Sequence, residues 1–525
     1  MSQDFLQFLI SHKDEVINLT LQHIGLTMTS LLIALIIGLP LGMVITRYKK
    51  LAGIILGSVG IIQTIPSLAL LGFLLPFFGI GAVPAIIALF LYALLPIVRN
   101  TYTGIKEVDS SIKEAARGMG MSNFQILTKV EIPLAMPVVF SGIRTACVIN
   151  VGVATLCALI ASGGLGEFIY RGIALNNTNM ILAGAIPAAF LAIFFDFTLG
   201  LIQKLFKQTP KLCLKSPLLL LFIAVMFVII QSFTFNSTHS LIAGFVPEFI
   251  ERTDGYPGLK RCYGLNLKIK ELDSQLMFQA LKAKQVDIIC GYSTEGRIKT
   301  YNFKILEDDK HFFPPYYACP VINGGTLKQY PFIKDIFSKL AGKITNEQIT
   351  ELNYKVEYKR QPINKVAKDF LKELGLRVDI EHHGIPDIII GSKNFTEQFI
   401  LAEIFAVLIE NYSDLNVEVK KGLAGTKICF DALTKNEINI YPEYTGTALF
   451  AILKPQRKVA DSILRDKDRL YSYVKSESKK SFNVEWLQPL GFNNTWALMM
   501  RDNEANKLMI KTISDLRRMI NENKL

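Results

Sequence analysis

Six long apolar stretches crowd the first 235 residues of this chain, and they restrict its fold more than any other feature. They fall at 22–46, 52–78, 82–99, 136–160, 180–203 and 216–234. Each can cross a hydrocarbon layer of about 30 Å as a helix. Inside lipid a segment must satisfy its own backbone polar groups, so the expectation is an all-α, six-span membrane domain over 1–235. The third stretch is short and carries Pro84 and Pro96, tolerable where neighbouring helices satisfy the freed backbone. The whole chain is 50% hydrophobic and only 19% charged, against about 25% charged in soluble domains. That excludes a disordered, fibrous or wholly soluble protein. Seven cysteines in 525 residues are too few for a disulfide scaffold.

Lysine and arginine gather in alternate loops. Arg47, Lys49 and Lys50 follow the first stretch; Lys106, Lys113, Arg117 and Lys129 follow the third; Lys204, Lys207, Lys211 and Lys215 follow the fifth. The loops at 79–81 and 161–179 carry only Arg171. Basic loops stay cytoplasmic. The N-terminus is therefore expected outside, and six crossings return the chain outside after residue 235. The net charge of +12 fits that bias better than a nucleic-acid surface, because no basic run is interleaved with exposed aromatics. The first 20 residues hold Asp4, Asp14 and Glu15 without a basic start, unlike a cleavable signal peptide.

From about 240 the composition turns to that of a soluble α/β protein. QVDIIC (285–290), DIIIG (387–391) and EINIYP (437–442) read as buried strands, and TEQFILAEIFAVLIENY (396–412) as an amphipathic helix. Strands alternating with helices predict parallel sheets covered on both faces. Roughly 285 residues exceed one small domain, so 236–525 is expected as two lobes. Its segments are 241–377 and 388–525, with a linker at 378–387 that begins VDIEHHGIP.

No catalytic apparatus is legible. GLAGTK (422–427) lacks the order of a phosphate loop, there is no HExxH, and no C-x-x-C occurs. His382 and His383 lie in the linker without a further metal ligand nearby. No cofactor, metal centre or catalytic residue is expected. Cys262, Cys290, Cys319 and Cys429 could pair in an oxidising compartment; their apolar neighbours favour buried free thiols.

Two places inside the membrane half carry more information. EAARGMG (114–120) is followed, after nine residues, by Val130-Glu131-Ile132-Pro133. Ala115 and Ala116 favour a short helix, and Gly120 suits its end. Arg144 and Asp196 each lie about eight residues from the inner end of their stretch, roughly 12 Å deep. Charges in lipid tend to pair. A structural ion pair is the simpler expectation, with a role in the solute path left open.

The 114–133 pattern resembles the EAA loop of bacterial ABC-importer permeases, with Val130 where Ile is usual and Ile132 where Leu is usual. The resemblance implies that Glu114, Ala115, Ala116 and Gly120 dock on a separate ABC ATPase subunit. It also implies a homodimer, two copies forming one pore, set among lipid in a bacterial cytoplasmic membrane.

In the outer half GSKNFTEQ (391–398), YPEYTGT (441–447), GFNNTW (491–496), GFVPEF (244–249), DGYPGLK (254–260), YSTEGR (292–297) and LEDDKHFFPPY (306–316) stand out. Together they resemble solute-binding proteins of the glycine betaine/carnitine/choline family across nearly all of 241–525. That implies an α/β, two-lobed, periplasmic-binding-protein-like domain and a quaternary ammonium ligand. Such a cation has no N–H to donate, so recognition rests on cation–π faces. Carried over by motif, the cage uses Tyr292, Tyr444 and Trp496, the last where relatives often have Tyr, with Tyr471 as a fourth wall. Thr447 and Gln398 would bond the ligand's polar end. Arg297 either meets a carboxylate bidentately or serves a structural salt bridge.

The motif order departs from that family. GSKNFTEQ normally opens the domain, yet here 241–377 carry the later segment and 388–525 the earlier one. A circular permutation is implied, with the linker joining the old ends. Permease and binding domain fused in one chain are most similar to bacterial ergothioneine importers, so ergothioneine is the expected solute. Glycine betaine, choline or carnitine are the alternatives, and a non-transporting ligand sensor is the alternative of another class.

Overall fold

The structure, a computed structural model, describes residues 2–521 apart from 176, 209–240, 381–383, 424 and 465. The apolar stretch at 216–234 and the His382–His383 pair lie outside the described residues. Contacts divide the chain into two compact units, Met1–Ile173 with Asn177–Thr238 and Ala174–Asn176 with His239–Leu525.

In the first unit Lys13–Ile45, Ala82–Lys106, Asn123–Ile160 and Thr178–Lys204 are long and apolar enough to span a membrane. Lys50–Thr64 and Ser67–Phe78 form a broken pair bent by 97°, a fifth span if counted as one. The stretch at 52–78 is therefore not one rod. Pro66 explains the break: the residue before a proline is driven out of the helical region, and Ile65 sits extended at ψ 127°. The carbonyl freed at Ile65 accepts the Tyr92 hydroxyl. Pro84 and Pro96 stay inside one helix, Ala82–Lys106. Small residues let these helices approach. A Cβ at Gly42 would stand 2.6 Å from Thr101 Cβ, and one at Gly142 only 2.5 Å from the Pro96 carbonyl oxygen.

Among its described residues the second unit holds ten strands in two five-stranded sheets. The first sheet contains β1 (Ile242–Phe245), β2 (Lys268–Glu271), β3 (Ile288–Tyr292), β4 (Phe303–Ile305) and β10 (Trp496–Arg501). The second contains β5 (Ala318–Asn323), β6 (Ile388–Gly391), β7 (Val417–Lys420), β8 (Ile440–Tyr444) and β9 (Val484–Trp486). Their orders are β2-β1-β3-β10-β4 and β7-β6-β8-β5-β9. Each sheet is a parallel triplet, one antiparallel strand that arrives from the other lobe (β10 beside β3, β5 beside β8), and a fifth strand antiparallel to that arrival, β4 or β9. The two lobes thus share one plan. The chain crosses between them before β5 and again before β10, and the crossings bridge each other at Tyr317 and Asn493.

The helix Thr396–Tyr412 departs from the amphipathic expectation. Residues Ile400 to Ile409 are buried without a break. A helix apolar all round is a buried one; here Phe337 packs edge-on against Phe405 at 4.9 Å. Its N-terminal turn, Thr396–Gln398, reaches the interface between the lobes.

Candidate ligand-binding site

Trp496 opens β10 and faces Tyr292 at the end of β3 across the antiparallel ladder. Directly opposed residues share one face of a sheet, and these rings stack with centroids 4.5 Å apart. Phe395 stacks on Tyr292 at 5.3 Å, and Tyr444 follows Phe395 at 6.4 Å. Trp496 and Tyr292 belong to the first lobe, Phe395 and Tyr444 to the second. One run of four rings therefore spans the lobe interface.

Tyr316, on the segment entering β5, packs on the turn that follows Tyr444. A Cβ at Gly446 would stand 2.6 Å from its ring, and its hydroxyl donates to Asp254 Oδ2 at 2.6 Å. Burial first, then the Asp254 carboxylate, with Tyr292 adding to them, holds the Tyr316 hydroxyl far above its ordinary pKa. Arg252 donates to Asp254 through Nε at 2.9 Å and through Nη2. Its charge is felt at both Tyr292 and Tyr316.

Beneath Tyr444 lies a buried ion pair. Lys393 Nζ stands 2.5 Å from Oε1 of the fully buried Glu443 and 5.1 Å from the centroid of the Tyr444 ring. The same Oε1 accepts the Tyr444 backbone N–H at 2.8 Å, and Oε2 accepts the Tyr441 hydroxyl at 3.1 Å. Glu397 is buried without a basic partner among the described residues. Its Oε1 accepts from the Tyr444 hydroxyl (2.6 Å) and Asn494 Nδ2 (2.7 Å). Its Oε2 accepts from the Thr294 hydroxyl (2.6 Å) and Asn353 Nδ2 (3.2 Å). Burial pushes its pKa upward, against these four hydrogen bonds. Trp496 Nε1, Asn353 Oδ1 and Asn494 Oδ1 are buried without a hydrogen-bond partner.

Of the residues singled out in the sequence, the structure brings Tyr292, Tyr444 and Trp496 together. Thr447 is buried in the turn that follows Tyr444. Gln398 is committed to backbone: Nε2 donates to the Pro442 carbonyl at 2.8 Å, and Oε1 accepts from Lys393 N–H at 3.2 Å. It braces the loop and strand that carry Lys393 and Tyr444. Tyr471 packs against the core of the second lobe, its hydroxyl donating to the carbonyls of Trp486 and Leu487. Arg297 is held by Glu295 at 3.0 Å and Glu357 at 3.5 Å and lies over the Phe278 ring. Burial first, then Glu295, pushes the Glu357 carboxyl up to about 7.

Cys290, Cys319 and Cys429 are buried free thiols, while Cys262 is free and exposed. Among the described residues no group of three or more His, Cys, Asp or Glu is placed to hold a metal.

In the membrane unit Arg144 donates to Asp196 through Nε and Nη2, joining two spanning helices. The 114–120 segment forms the end of a helix, Ser110–Gly118, begun by Asp109 accepting from Ser111 N–H. Gly120 takes φ +78°, the left-handed turn that ends it. Ala116 is buried, whereas Glu114, Ala115 and Gly120 are exposed. Nearby in sequence, Met119 and Phe124 are 75% and 74% exposed. Glu131 is buried against Arg47.

The substrate-binding domain of ABC-type glycine betaine transport systems matches residues 235–373 and 386–524. That is more than half of the chain. The protein belongs to this family. Residues 20–211 also match the inner membrane component of binding-protein-dependent transport systems. A glycine betaine/carnitine/choline transport system permease protein, OpuCB of Bacillus subtilis, is 43% identical over 39% of this chain and 94% of its own length. The osmoprotectant import permease protein OsmW of Salmonella typhimurium is 44% identical over 40% of this chain and 98% of its own length. A crystal structure of a glycine betaine/carnitine/choline ABC transporter is 36% identical over 26% of this chain and 51% of that chain, with a TM-score of 0.21. This glycine betaine-type chain thus joins a permease and a substrate-binding domain that its curated permease relatives do not include in their matched length.

Several site residues escaped selection from sequence although their motifs were in view. Lys393, Phe395 and Glu397 sit inside GSKNFTEQ, Tyr316 closes LEDDKHFFPPY, and Arg252 lies between GFVPEF and DGYPGLK. Motif membership was the available signal for all of these but Arg252.

Proposed function

We propose that this chain is the membrane and solute-capture subunit of an ABC importer for a betaine-type trimethylammonium solute, ergothioneine first. The observation that carries the reading is the run of rings across the lobe interface, Trp496, Tyr292, Phe395 and Tyr444, with Tyr316 beside it. Aromatic faces suit a large, weakly hydrated cation that has no N–H. The stacked Trp496–Tyr292 pair leaves no room between its rings, so the ligand would meet ring edges and outer faces after a small opening of the lobes. Tyr316 replaces Tyr471 as the fourth wall in this reading. Arg252 is better placed than Arg297 to meet a carboxylate, because it borders Tyr292 and Tyr316 while Arg297 is enclosed by two glutamates. The unpartnered Trp496 Nε1 offers a donor to a thione or carboxylate.

The alternative solutes are glycine betaine, choline and carnitine, the compounds in the names of the permease relatives. Titration calorimetry on the full-length protein, with ergothioneine, glycine betaine, choline and carnitine in turn, separates them. Absence of heat with all four would refute the reading.

The rest of the machine follows from that role. A separate ATPase would dock on Glu114, Ala115, Ala116 and Gly120, aided by exposed Met119 and Phe124. Two copies would make the pore. The N-terminus and the binding domain would both lie outside, which requires an even number of crossings. A circular permutation of the binding domain is supported by the matched segments at 235–373 and 386–524. It is also supported by the second lobe, which is assembled from residues on both sides of the 378–387 linker around one sheet. The domain boundary is placed near 235.

A further inference from the structure

Three basic side chains near the rings are each held by carboxylates. Lys393 is matched by Glu443, Arg252 by Asp254, and Arg297 by both Glu295 and Glu357. Glu397, by contrast, accepts from four neutral donors and pairs with no cation among the described residues. Those donors fill the positions a carboxylate offers, two on each oxygen. Two of them are amide N–H groups, which cannot accept a proton in return. A proton on Glu397 would have to displace a hydroxyl donor, so the set fits the ionised form. A buried charge without a partner is costly, and its cost falls when a cation enters nearby.

The same carboxylate joins three parts of the site. Tyr444 is a wall of the ring run. Asn494 lies on the crossing segment, its N–H donating to the Tyr316 carbonyl. Thr294 belongs to the loop of the first lobe that packs on the second. That packing is close: a Cβ at Gly296 would stand 2.5 Å from Tyr354 N, and Asn353 Nδ2 donates to the Thr294 carbonyl at 2.9 Å.

We propose that Glu397 is a positioning residue for solute capture. Its carboxylate supplies the negative charge that a bound cation balances, fixes the Tyr444 ring, and ties Thr294 of the first lobe to the second. Gripping the cation and closing the lobes then become one event. This rests on the trimethylammonium reading above. The purely structural alternative is a carboxylate that only organises hydrogen bonds, indifferent to ligand charge.

The two are separated by ligands of equal shape and different charge: choline against its tert-butyl carbon isostere, and glycine betaine against tert-butylacetate. Affinities are measured on the full-length protein and its Glu397→Gln, Glu397→Asp and Thr294→Val variants, with thermal melts alongside. Glu397→Gln should weaken the cationic ligand about tenfold and its isostere less than threefold, so that discrimination between them collapses. Glu397→Asp keeps the charge and should keep most of the discrimination. Thr294→Val leaves the charge but removes the cross-lobe donor, and should weaken both ligands alike. Equal losses for cation and isostere in Glu397→Gln, or no loss, overturn the proposal. Should Glu397→Gln fail to fold, the proposal stands or falls on the other two: lost discrimination in Glu397→Asp, or unchanged affinities in Thr294→Val, overturns it. Wild-type protein that binds neither cation refutes the functional reading itself and this inference with it.

Discussion

The Lys393 ammonium lies 2.5 Å from Glu443 Oε1 and 5.1 Å from the centroid of the Tyr444 ring. One side chain thus neutralises a fully buried carboxylate and occupies the neighbourhood of an aromatic wall. Removing only one partner of such a pair strands a charge, typically at about 3–5 kcal/mol, while removing both costs far less. Lys393→Met should therefore lower the melting temperature of the full-length protein well beyond Lys393→Met combined with Glu443→Gln. Equal melting temperatures for the single and double variants would count against a stranded charge.

Arg144 and Asp196 make the corresponding pair within the membrane unit. Because intramembrane charges depend on their partners, Arg144→Ala should destabilise more than the double change with Asp196→Ala. A double-mutant cycle in detergent or nanodiscs reads the coupling. Strictly additive losses would mean that the two side chains act independently.

Much of this architecture is legible in the sequence, and the exceptions have physical causes. The apolar stretches at 22–46, 82–99, 136–160 and 180–203 fall within continuous helices because composition alone decides them. The break at Pro66 was harder to read, since Pro40 and Pro96 sit inside unbroken helices; which proline bends a helix depends on what receives the freed carbonyl, here Tyr92. Tyr292, Tyr444 and Trp496 could be chosen because motifs mark them. Arg297 and Tyr471 looked equally eligible as residue types, but their partners, Glu295, Glu357 and the Trp486 and Leu487 carbonyls, are set by tertiary packing. Glu397 shows the limit most clearly. Its four donors come from positions 294, 353, 444 and 494, and no local pattern links them.

Glu357 makes a pH prediction. Its carboxyl is raised from the ordinary 4.5 to about 7 by burial first and the Glu295 charge second. A raised carboxyl favours the folded form most when protonated. Its contribution is complete below about 4.5 and is lost as pH rises through about 7. The difference corresponds to about 3 kcal/mol as an upper bound. Glu357→Gln should flatten the dependence of the melting temperature on pH between about 4.5 and 7. An unchanged slope would mean that Glu357 titrates like a surface carboxyl.

The coupling segment can be tested apart from ligand binding. Purified chain alone should hydrolyse no ATP, since no phosphate-loop order is present in the sequence. Glu114→Ala, or Gly120→Val at φ +78°, should lower uptake in cells while leaving solute affinity unchanged. The glycine change opposes a left-handed backbone at about 1–2 kcal/mol. Loss of affinity in either variant would place the defect in folding rather than in coupling.

The ring run gives the sharpest test of solute capture. Each desolvated cation–π contact contributes about 0.5–2 kcal/mol, so removing one wall should weaken binding roughly three- to thirtyfold. Tyr292→Ala, Tyr444→Ala, Trp496→Ala and Tyr316→Ala should each fall in that range by calorimetry with ergothioneine or glycine betaine. Tyr471→Ala should instead lower the melting temperature, because its ring packs on the second lobe's core. Tyr444→Phe should cost less than Tyr444→Ala, since the ring face makes the contact and the hydroxyl only orients it through Glu397. A desmethyl analogue regains an N–H and better hydration, and should bind more weakly than the trimethylated ligand. If Tyr444→Ala and Trp496→Ala both bind the two ligands as the parent does, the rings are packing and the cation is held elsewhere.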